Sequence, residues 1–426
     1  MHSRLVTLCC ALALAVASLS AQQPAQTDPI VAKALAIHER AITLDTHVDI
    51  GGANYATPAL DPGAESTPLK CDLTKMEKGK LDGAFLAVYV GQGPLDEAGF
   101  SRAHQQAMEK FEALKRLTEQ MYPNRSAFAR TPDEVERIVK TGKRVIMTGV
   151  ENGYAVGTDL ANVKKFYDLG ARYISLTHSG NNQIGDSSSA REPLHNGLSD
   201  FGKQVVSEMN RLGMMVDVSH IAEKSFWDIL AITKAPIIAS HSGCRAVAES
   251  DRNLTDDQLK ALAKNGGVIQ IVALASYLKA PSPERLEAMA KLREELGLPA
   301  RGGRGGGGRG TQPAMTDEQR AAQQKLMEQY RERMKEIDAK FPSATLKDFV
   351  DHIDHAVKVA GIDHVGIGTD FDGGGGIPGF NDDTEAPNVT IELVRRGYTE
   401  EQIAKIWGGN LLRVWRDVER AASAGR

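Results

Sequence analysis

The segment Arg144-Val-Ile-Met-Thr-Gly-Val-Glu151 is a short apolar run, rich in β-branched residues, that ends on a carboxylate. Its apolar residues occupy consecutive positions, which is typical of a parallel strand buried on both faces. Similar runs recur along the chain and are separated by amphipathic helical patterns. The eight predicted strands are Ala41–Leu44, Ala84–Val90, Arg144–Val150, Arg172–Leu176, Met214–Val218, Ala235–Ala239, Gly267–Val272 and His364–Gly368.

Helical patterns alternate with these runs. The predicted helices include Ala103–Leu117, Asp133–Lys140, Leu160–Leu169, Asp200–Leu212, Glu223–Thr233 and Thr255–Lys264. Thr131 and Thr255, each followed by acidic residues, are typical of helix starts. Eight strand–helix alternations favour an α/β fold of the closed parallel (β/α)8 TIM-barrel type, with a doubly wound open sheet as the alternative.

Composition and the first residues indicate an exported globular protein. Of 426 residues, 42% are hydrophobic and 25% are charged, and the net charge of −4 gives no strong field for nucleic acid or anionic lipid. The apolar run Leu5–Ala17, followed by small residues, predicts a signal peptide over residues 1–21. We therefore expect a periplasmic or secreted protein with no stable membrane anchor after cleavage, no nucleic-acid partner, and one barrel domain over residues 30–426.

One insertion interrupts the alternation, at about residues 276–346. It contains the Gly/Arg-rich tract Arg301–Gly310, interpreted as a mobile loop, and a charged helical run, Thr316–Lys340. Outside the signal segment the chain keeps Cys71 and Cys244, and the sequence leaves their pairing open. His352 and His355, three residues apart on a predicted helix, are interpreted as a surface pair.

Polar side chains follow six of the eight predicted strands where each strand ends. They are His47 and Asp49, Glu151, His178, Asp217 and His220, His241, and Asp370 and Asp372. His47 and Asp49 are two residues apart, so on an extended backbone they point to the same side. Because the carboxyl ends of parallel barrel strands meet on one face, these side chains are expected to form one site.

The residue types at this face suit a divalent metal, most simply zinc. The candidate ligands are too numerous for one tetrahedral shell. We therefore expect two Zn²⁺ per chain: His47 and Asp49 on one, His220 and His241 on the other, and Glu151 bridging both. Such a pair can generate a bridging hydroxide, leaving His178 and Asp370 for transition-state contact and proton transfer.

The chain resembles the membrane (renal) dipeptidase family of zinc dipeptidases, peptidase family M19. The motifs that carry the resemblance are Asp45-Thr-His47-Val-Asp49, Val150-Glu151-Asn-Gly153, Leu176-Thr-His178 with Asn182 and Asp186-Ser187, Asp217-Val-Ser-His220, Ser240-His241-Ser242, Asp251-Arg252-Asn253 and Gly366-Ile-Gly-Thr-Asp370-Phe-Asp372-Gly373. Thr46 and Val48 depart from the Gly and Asn that are usual beside the first histidine, and neither is an expected ligand. After the seventh predicted strand, only Tyr277 resembles the family's pocket wall.

The resemblance implies a (β/α)8 barrel and a metallodipeptidase that hydrolyses dipeptides by a metal-bridged hydroxide. It implies that Glu151, His178 and Asp370 take part in catalysis, with His178 at the substrate and its oxyanion and Asp370 protonating the leaving amine. It also implies that Arg252 binds the C-terminal carboxylate of the substrate. A planar guanidinium just past the scissile bond would bind substrates with a free carboxylate there more tightly.

Two other functions remain as alternatives. The first is an amidohydrolase-type deacylase or lactonase on the same barrel, although His-x-Asp on the first strand and Glu151 on the third favour the dipeptidase. The second is a non-catalytic binding protein on a retained barrel, which would be expected to lose ligands or Asp370. Side-chain preference, tolerance of D-residues or β-lactams, and oligomeric state, with a homodimer as one option, are left open.

Overall fold

The computed structural model describes residues 28–298 and 317–424, and within them the strands form one parallel sheet. The strands are β1 (Leu44–Asp49), β2 (Gly83–Tyr89), β3 (Ser126–Phe128), β4 (Arg144–Glu151), β5 (Ala171–Ser175), β6 (Met215–Asp217), β7 (Ile237–Ser242), β8 (Val268–Ile271) and β9 (Val365–Ile367). Their order is β1-β2-β4-β5-β6-β7-β8-β9, and β3 is a short strand beside the start of β4.

The sheet closes on itself between β1 and the residues that follow β9. Val48 bridges Phe371 in parallel, the Asp49 amide donates to the Phe371 carbonyl at 2.8 Å, and the Asp370 amide donates to the His47 carbonyl at 2.9 Å. The predicted closed barrel is therefore confirmed, and the open-sheet alternative is wrong. Closure also brings the carboxyl end of β1 directly beside Asp370.

Helices surround the barrel and continue beyond it. They are α1 (Pro29–Arg40), α2 (Leu73–Lys78), α3 (Glu97–Lys115), α4 (Pro132–Val139), α5 (Ala161–Leu169), α6 (Asp200–Leu212), α7 (Glu223–Ile232), α8 (Asp256–Lys264), α9 (Ala275–Leu278), α10 (Pro283–Glu295), α11 (Asp317–Lys340), α12 (Leu346–Ala360), α13 (Ala386–Arg395), α14 (Glu400–Ala404) and α15 (Asn410–Ala424). Thr131 caps α4, and Thr255 forms a capping box at α8, as their positions predict. No helix among the described residues has the length and hydropathy needed to cross a bilayer.

The barrel interior is packed at its amino-terminal end. Phe85, Val145 and Tyr173 belong to one buried cluster with Trp415 of α15, whose ring lies 5.7 Å from that of Phe85. Neighbouring strand residues such as Ile146 belong to the larger cluster that includes the surrounding helices. This alternation of inward and outward side chains closes the lower end of the barrel and leaves its carboxyl end for polar residues.

The first strand was placed wrongly by sequence, at Ala41–Leu44 instead of Leu44–Asp49. Ala41 is the residue that ends α1, so the apolar residues Ala41–Thr43 lead from the helix into the strand. The strand itself carries Asp45, Thr46 and His47, all buried. The pattern of apolar residues could not give the bounds of this strand, because its polar side chains are buried inside the barrel, where they form hydrogen bonds.

The insertion contributes α10 and α11 between β8 and β9. Arg285 and Arg333 link the two helices through ion pairs to Asp338 and Glu295, both at 2.7 Å. The Gly/Arg-rich tract and the predicted signal peptide lie outside the described residues. Cys71 and Cys244 are both buried, free thiols.

Candidate active site

A cavity of about 480 Å³ opens at the carboxyl end of the barrel. Its lining combines carboxylates, imidazoles and one guanidinium with two tyrosines: Asp49, Ile50, Tyr89, Glu151, His178, Ser179, Ser189, His220, Arg252, Leu274, Tyr277, Asp370, Asp372 and Gly373. His47 and His241 are buried beside Glu151 at its base. The structure thus brings together the residues that the sequence predicted for the site, except Asp217, which neither lines this cavity nor belongs to the ligand groups.

Glu151, the last residue of β4, lies at the centre of the imidazoles. Its Oε1 is 3.1 Å from Nε2 of His220 and 3.6 Å from Nε2 of both His178 and His241, while its Oε2 is 3.3 Å from Nε2 of His47. Burial raises the pKa of this carboxyl, but the imidazoles outweigh burial and hold the pKa well below its usual range. The carboxylate is therefore ionised, with its oxygens facing different histidines.

His47 is oriented by a tyrosine that the sequence did not single out. Its Nδ1 is 2.9 Å from the Tyr173 hydroxyl, which donates to the Thr46 carbonyl at 3.2 Å. Because the single hydroxyl proton is used there, His47 donates its Nδ1 proton to Tyr173 and keeps an Nε2 lone pair for a ligand bond. Burial lowers the pKa of His47, but Glu151, Asp49 and Asp370 outweigh it and raise the pKa to about 10, so that a metal ion would have to displace a proton from Nε2 to use that lone pair.

His220 and His241 approach each other at the ends of β6 and β7, with their Nε2 atoms 2.8 Å apart. Ser240 Oγ lies 2.8 Å from His241 Nδ1 and donates to Asp217 at 2.6 Å. The other Asp217 oxygen accepts the backbone amides of Ser219 and Ser240. Asp217 is therefore outside the ligand cluster, and it holds the strand ends that present both histidines. Burial lowers the pKa of both imidazoles, which favours neutral ligands.

Asp49 and Asp370 lie close together beside His47, with one ligand atom of each within 4.8 Å of the others. Burial and then Glu151 raise the pKa of Asp49 to about 7, and burial and then Asp49 raise the pKa of Asp370 well above its usual range. A Cβ on Gly373 would lie 1.9 Å from Asp49 Oδ2 and 2.3 Å from Asp370 Oδ1. A residue without a side chain is therefore required where the chain folds back over the two carboxylates.

Three groups of side chains have ligand atoms close enough to share an ion, all within 4.8 Å of one another in each group. They are His47, Glu151 and His241; Glu151, His178 and His220; and His47, Asp49 and Asp370. Glu151 belongs to two of these groups and His47 to two. His178 and Asp370, which the sequence analysis predicts as catalytic residues and not as ligands, thus belong to these groups of candidate ligands.

Arg252 faces the cavity from the loop that follows β7. It is 6% exposed, its Nη2 donates to the His241 carbonyl at 3.1 Å, and its Cζ lies 5.3 Å from the centre of the Tyr277 ring. Its buried Nε has no hydrogen-bond acceptor among the described residues, and no described carboxylate forms an ion pair with it. The guanidinium is therefore a buried cation with capacity for an anionic ligand.

Sequence reasoning missed the residues that support the site from behind. Besides Tyr173, they include Lys110 of α3, a buried lysine whose Nζ donates to the Ile50 carbonyl at 2.8 Å and lies 5.5 Å from the Tyr89 ring. Burial lowers the pKa of Lys110.

Asp45 accepts amide protons from His47 and Thr369, both at 3.0 Å. Of the three supporting residues Tyr173, Lys110 and Asp45, Asp45 alone belongs to a motif of the family resemblance, whereas the sequence of α3 gives no local sign that Lys110 contacts the site.

Comparisons with known proteins find relatives over most of this chain. A family model described as "Membrane dipeptidase (Peptidase family M19)" matches residues 31–426. Dipeptidase tcpJ of Claviceps purpurea is 30% identical over 358 residues, covering 83% of this chain and 70% of the relative. Dipeptidase verJ of Clonostachys rogersoniana is 31% identical, covering 82% and 76%.

Solved structures show the same fold. The probable dipeptidase PvdM of Pseudomonas aeruginosa superposes with a TM-score of 0.78 at 32% identity, covering 92% of this chain and 99% of that chain. The structure described as dipeptidase AC, a metallopeptidase of family M19, has a TM-score of 0.67 at 24% identity, covering 89% and 99%. At 24% identity, the second likeness shows the fold alone.

Proposed function

Because the chain belongs to the membrane dipeptidase family, peptidase family M19, we propose that it is an exported enzyme that cleaves dipeptides at two zinc ions bridged by Glu151. Membership makes the chain a metal-dependent dipeptidase, which disfavours both the amidohydrolase-type and the non-catalytic alternatives. One observation carries the proposal for this chain: Glu151 lies within 3.6 Å of four imidazole nitrogens, with Asp49 and Asp370 beside them.

The donor set fits zinc. Imidazole nitrogens and carboxylate oxygens are its common ligands, together with thiolates. Oδ1 of Asp49 is buried and has no hydrogen-bond partner among the described residues, and buried Nε2 of His47 has only its 3.3 Å ion-pair contact with Glu151 Oε2. Buried polar atoms normally have well-formed hydrogen bonds, so these two atoms at the base of one cavity support a role as cation ligands. His47 and Asp49 would hold one ion, His220 and His241 the other, and Glu151 both.

When bound, the two ions would supply the hydroxide that attacks the scissile carbonyl and would polarise that carbonyl. The protein residues do the rest. His178 lines the cavity, and burial lowers the pKa of its imidazole, which keeps it neutral. A neutral imidazole N–H can donate to the oxyanion that develops on the substrate. Asp370, which lines the same cavity, would hand a proton to the departing amine nitrogen.

Arg252 would select dipeptides. Its guanidinium is buried, lacks a carboxylate partner among the described residues and faces the cavity beside Tyr277. A free C-terminal carboxylate would form charge-assisted bonds with it, and Tyr277 would limit how far the guanidinium can move. A longer peptide would place an uncharged amide there and leave the buried cation without an anion.

The test is hydrolysis by the full-length protein of a panel of dipeptides, each also supplied with its C-terminus amidated, before and after chelation. We expect cleavage of the free dipeptides, loss of activity on chelation and recovery with zinc. His220→Ala should lose both metal and activity, whereas His355→Ala, a histidine outside the cavity, should lose neither. Full dipeptide hydrolysis after complete metal removal would refute the proposal.

Export is tested separately, by determining the N-terminus of the protein in each cell fraction. A mature terminus near Ala21 in a secreted or periplasmic fraction would support export, and an intact Met1 on cytoplasmic protein would contradict it.

A further inference from the structure

His352 of α12 is a completely buried histidine that the proposed chemistry does not use. Its Nδ1 lies 2.9 Å from the backbone amide of Cys244, and its Nε2 lies 3.0 Å from the backbone carbonyl of Leu278. An amide can only donate and a carbonyl can only accept, so Nδ1 is the acceptor and Nε2 carries the proton. Burial lowers the pKa of this imidazole, which favours the same neutral form.

The two backbone groups belong to the segments that carry Arg252 and Tyr277. Cys244 lies at the start of the loop that follows β7, and this loop is closed by hydrogen bonds between Gly243 and Leu254 at 2.9 Å and between Arg245 and Leu254 at 2.8 Å. Arg252 is presented by the closed loop. Leu278 is the last residue of α9 and follows Tyr277 directly. His352 thus joins two segments that we call the walls of the Arg252 site: the loop of residues 243–254, which carries Arg252, and helix α9, which carries Tyr277.

A second bond joins the same walls, and the packing between them is tight. Asn253 donates from Nδ2 to the Tyr277 carbonyl at 2.8 Å. A Cβ on Gly243 would lie 2.5 Å from Asn253 Oδ1 and 3.1 Å from His352 Nδ1. The loop backbone therefore lies directly against both side chains, and removing the imidazole would leave the loop free to shift relative to Tyr277.

We propose that His352 is a positioning residue that fixes Arg252 against Tyr277 and so sets the preference for substrates with a free C-terminal carboxylate. The proposal rests on the proposed function, in which Arg252 binds that carboxylate. The physical reason is geometric, because two parallel hydrogen bonds to a carboxylate form only if the Arg252 guanidinium is held in place. A misplacement of about 1 Å in a binding group can lower the rate by about a hundredfold.

Three substitutions separate the two bonds. His352→Asn keeps an acceptor near the position of Nδ1 and so retains the bond to Cys244. His352→Gln reaches further and can keep a donor for Leu278. His352→Leu removes both bonds and keeps an apolar side chain. His355→Leu is the matched control, because it removes an imidazole from the same helix whose hydrogen bond is to Asp256, the first residue of α8, at 2.7 Å and not to Cys244 or Leu278.

The readout is kcat/KM for a free dipeptide divided by kcat/KM for the same dipeptide amidated at its C-terminus, with zinc content and thermal unfolding measured alongside. We expect His352→Leu to lower this ratio by roughly five- to fiftyfold, mainly through KM, because most of a charge-assisted bond is lost. The Asn and Gln variants should fall between His352→Leu and the wild type. Zinc content and the rate on the amidated substrate should stay unchanged, as should every value for His355→Leu.

The outcomes separate this inference from the function on which it rests. An unchanged ratio in His352→Leu, or an equal loss on both substrates, overturns the inference while leaving Arg252 as the carboxylate ligand if Arg252→Ala still lowers the ratio. If Arg252→Ala does not lower the ratio, the proposed role of Arg252 is wrong and the inference fails with it. Should the His352 variants not fold, Asn253→Ala removes the other bond between the walls; an unchanged ratio there would count against the inference, and a selective loss would support it.

Discussion

Arg252→Ala should weaken kcat/KM for free dipeptides by about ten- to a hundredfold. The guanidinium is 6% exposed, forms one bond to the His241 carbonyl and has no described carboxylate partner, so a substrate carboxylate would be its main anion. Hydrogen bonds to charged groups contribute about 1.5–3 kcal/mol, and each 1.4 kcal/mol is tenfold. Because the carboxylate is present in the ground state and the transition state alike, the loss should appear mainly in KM.

The assay compares free and amidated forms of one dipeptide in steady-state kinetics. The amidated form lacks the anion, so Arg252→Ala should leave its kcat/KM within about twofold. Arg252→Lys keeps the positive charge but loses the planar guanidinium, so its kcat/KM for the free dipeptide should lie between those of the wild type and Arg252→Ala. Arg191→Ala, at an exposed arginine outside the cavity lining, is the control for general charge effects. An equal loss on both substrates with unchanged zinc content would refute the reasoning and make Arg252 a structural residue.

Further predictions concern the site and its supports. Asp370→Asn should lower kcat by about 10²–10⁴-fold with both metals retained, and wild-type turnover would mean that another group supplies the proton. Tyr173→Phe removes the acceptor of the His47 Nδ1 proton and should weaken zinc binding by about 10–100-fold in a chelator competition; an unchanged zinc Kd would contradict this role. Gly373→Ala should cost about a hundredfold in kcat, because its Cβ would displace Asp49 and Asp370, whereas Gly52→Ala, where a Cβ meets nothing within 4 Å, should be silent. Equal rates for the two alanine variants would show that the carboxylates tolerate displacement.

The barrel and the polar residues at its mouth were predictable because both leave local patterns. Consecutive apolar residues mark strands such as β4, and Glu151 follows directly in sequence. The convergence of His47, His220 and His241 then follows from parallel closure rather than from any single motif. The assignment of ligands to the two ions stays a prediction, because in the structure Glu151 and His47 each belong to two groups of candidate ligands.

The bounds of the first strand and the supporting residues could not be predicted from the sequence, for a different reason. Asp45 is completely enclosed, and burial raises its pKa to about 6 even though Thr369 and His47 donate to it. Such a carboxyl breaks the apolar pattern of a strand, and its partner lies more than three hundred residues away along the chain. Tyr173 also looks like an ordinary apolar strand residue until its hydroxyl is seen beside His47.

The pair His352 and His355 shows what spacing leaves open. The interpretation as a surface pair is wrong for His352, which is completely buried, and nearer to the truth for His355, which is partly exposed and pairs with Asp256. Three residues along a helix place side chains on neighbouring positions of one face. Which of the two faces the core depends on where α12 packs, and that is set by tertiary contacts with the loop after β7 and with α9.

The central claim is that catalysis needs two zinc ions held around Glu151, and titration of metal-free protein tests it most directly. The full-length protein is stripped with a chelator, zinc is added back stepwise, and dipeptide hydrolysis and bound zinc per chain are measured on the same samples. We predict no hydrolysis without metal and maximal hydrolysis at two bound zinc ions per chain. Full activity with no bound metal, or a maximum at one ion per chain with no further binding at the site, would contradict the account.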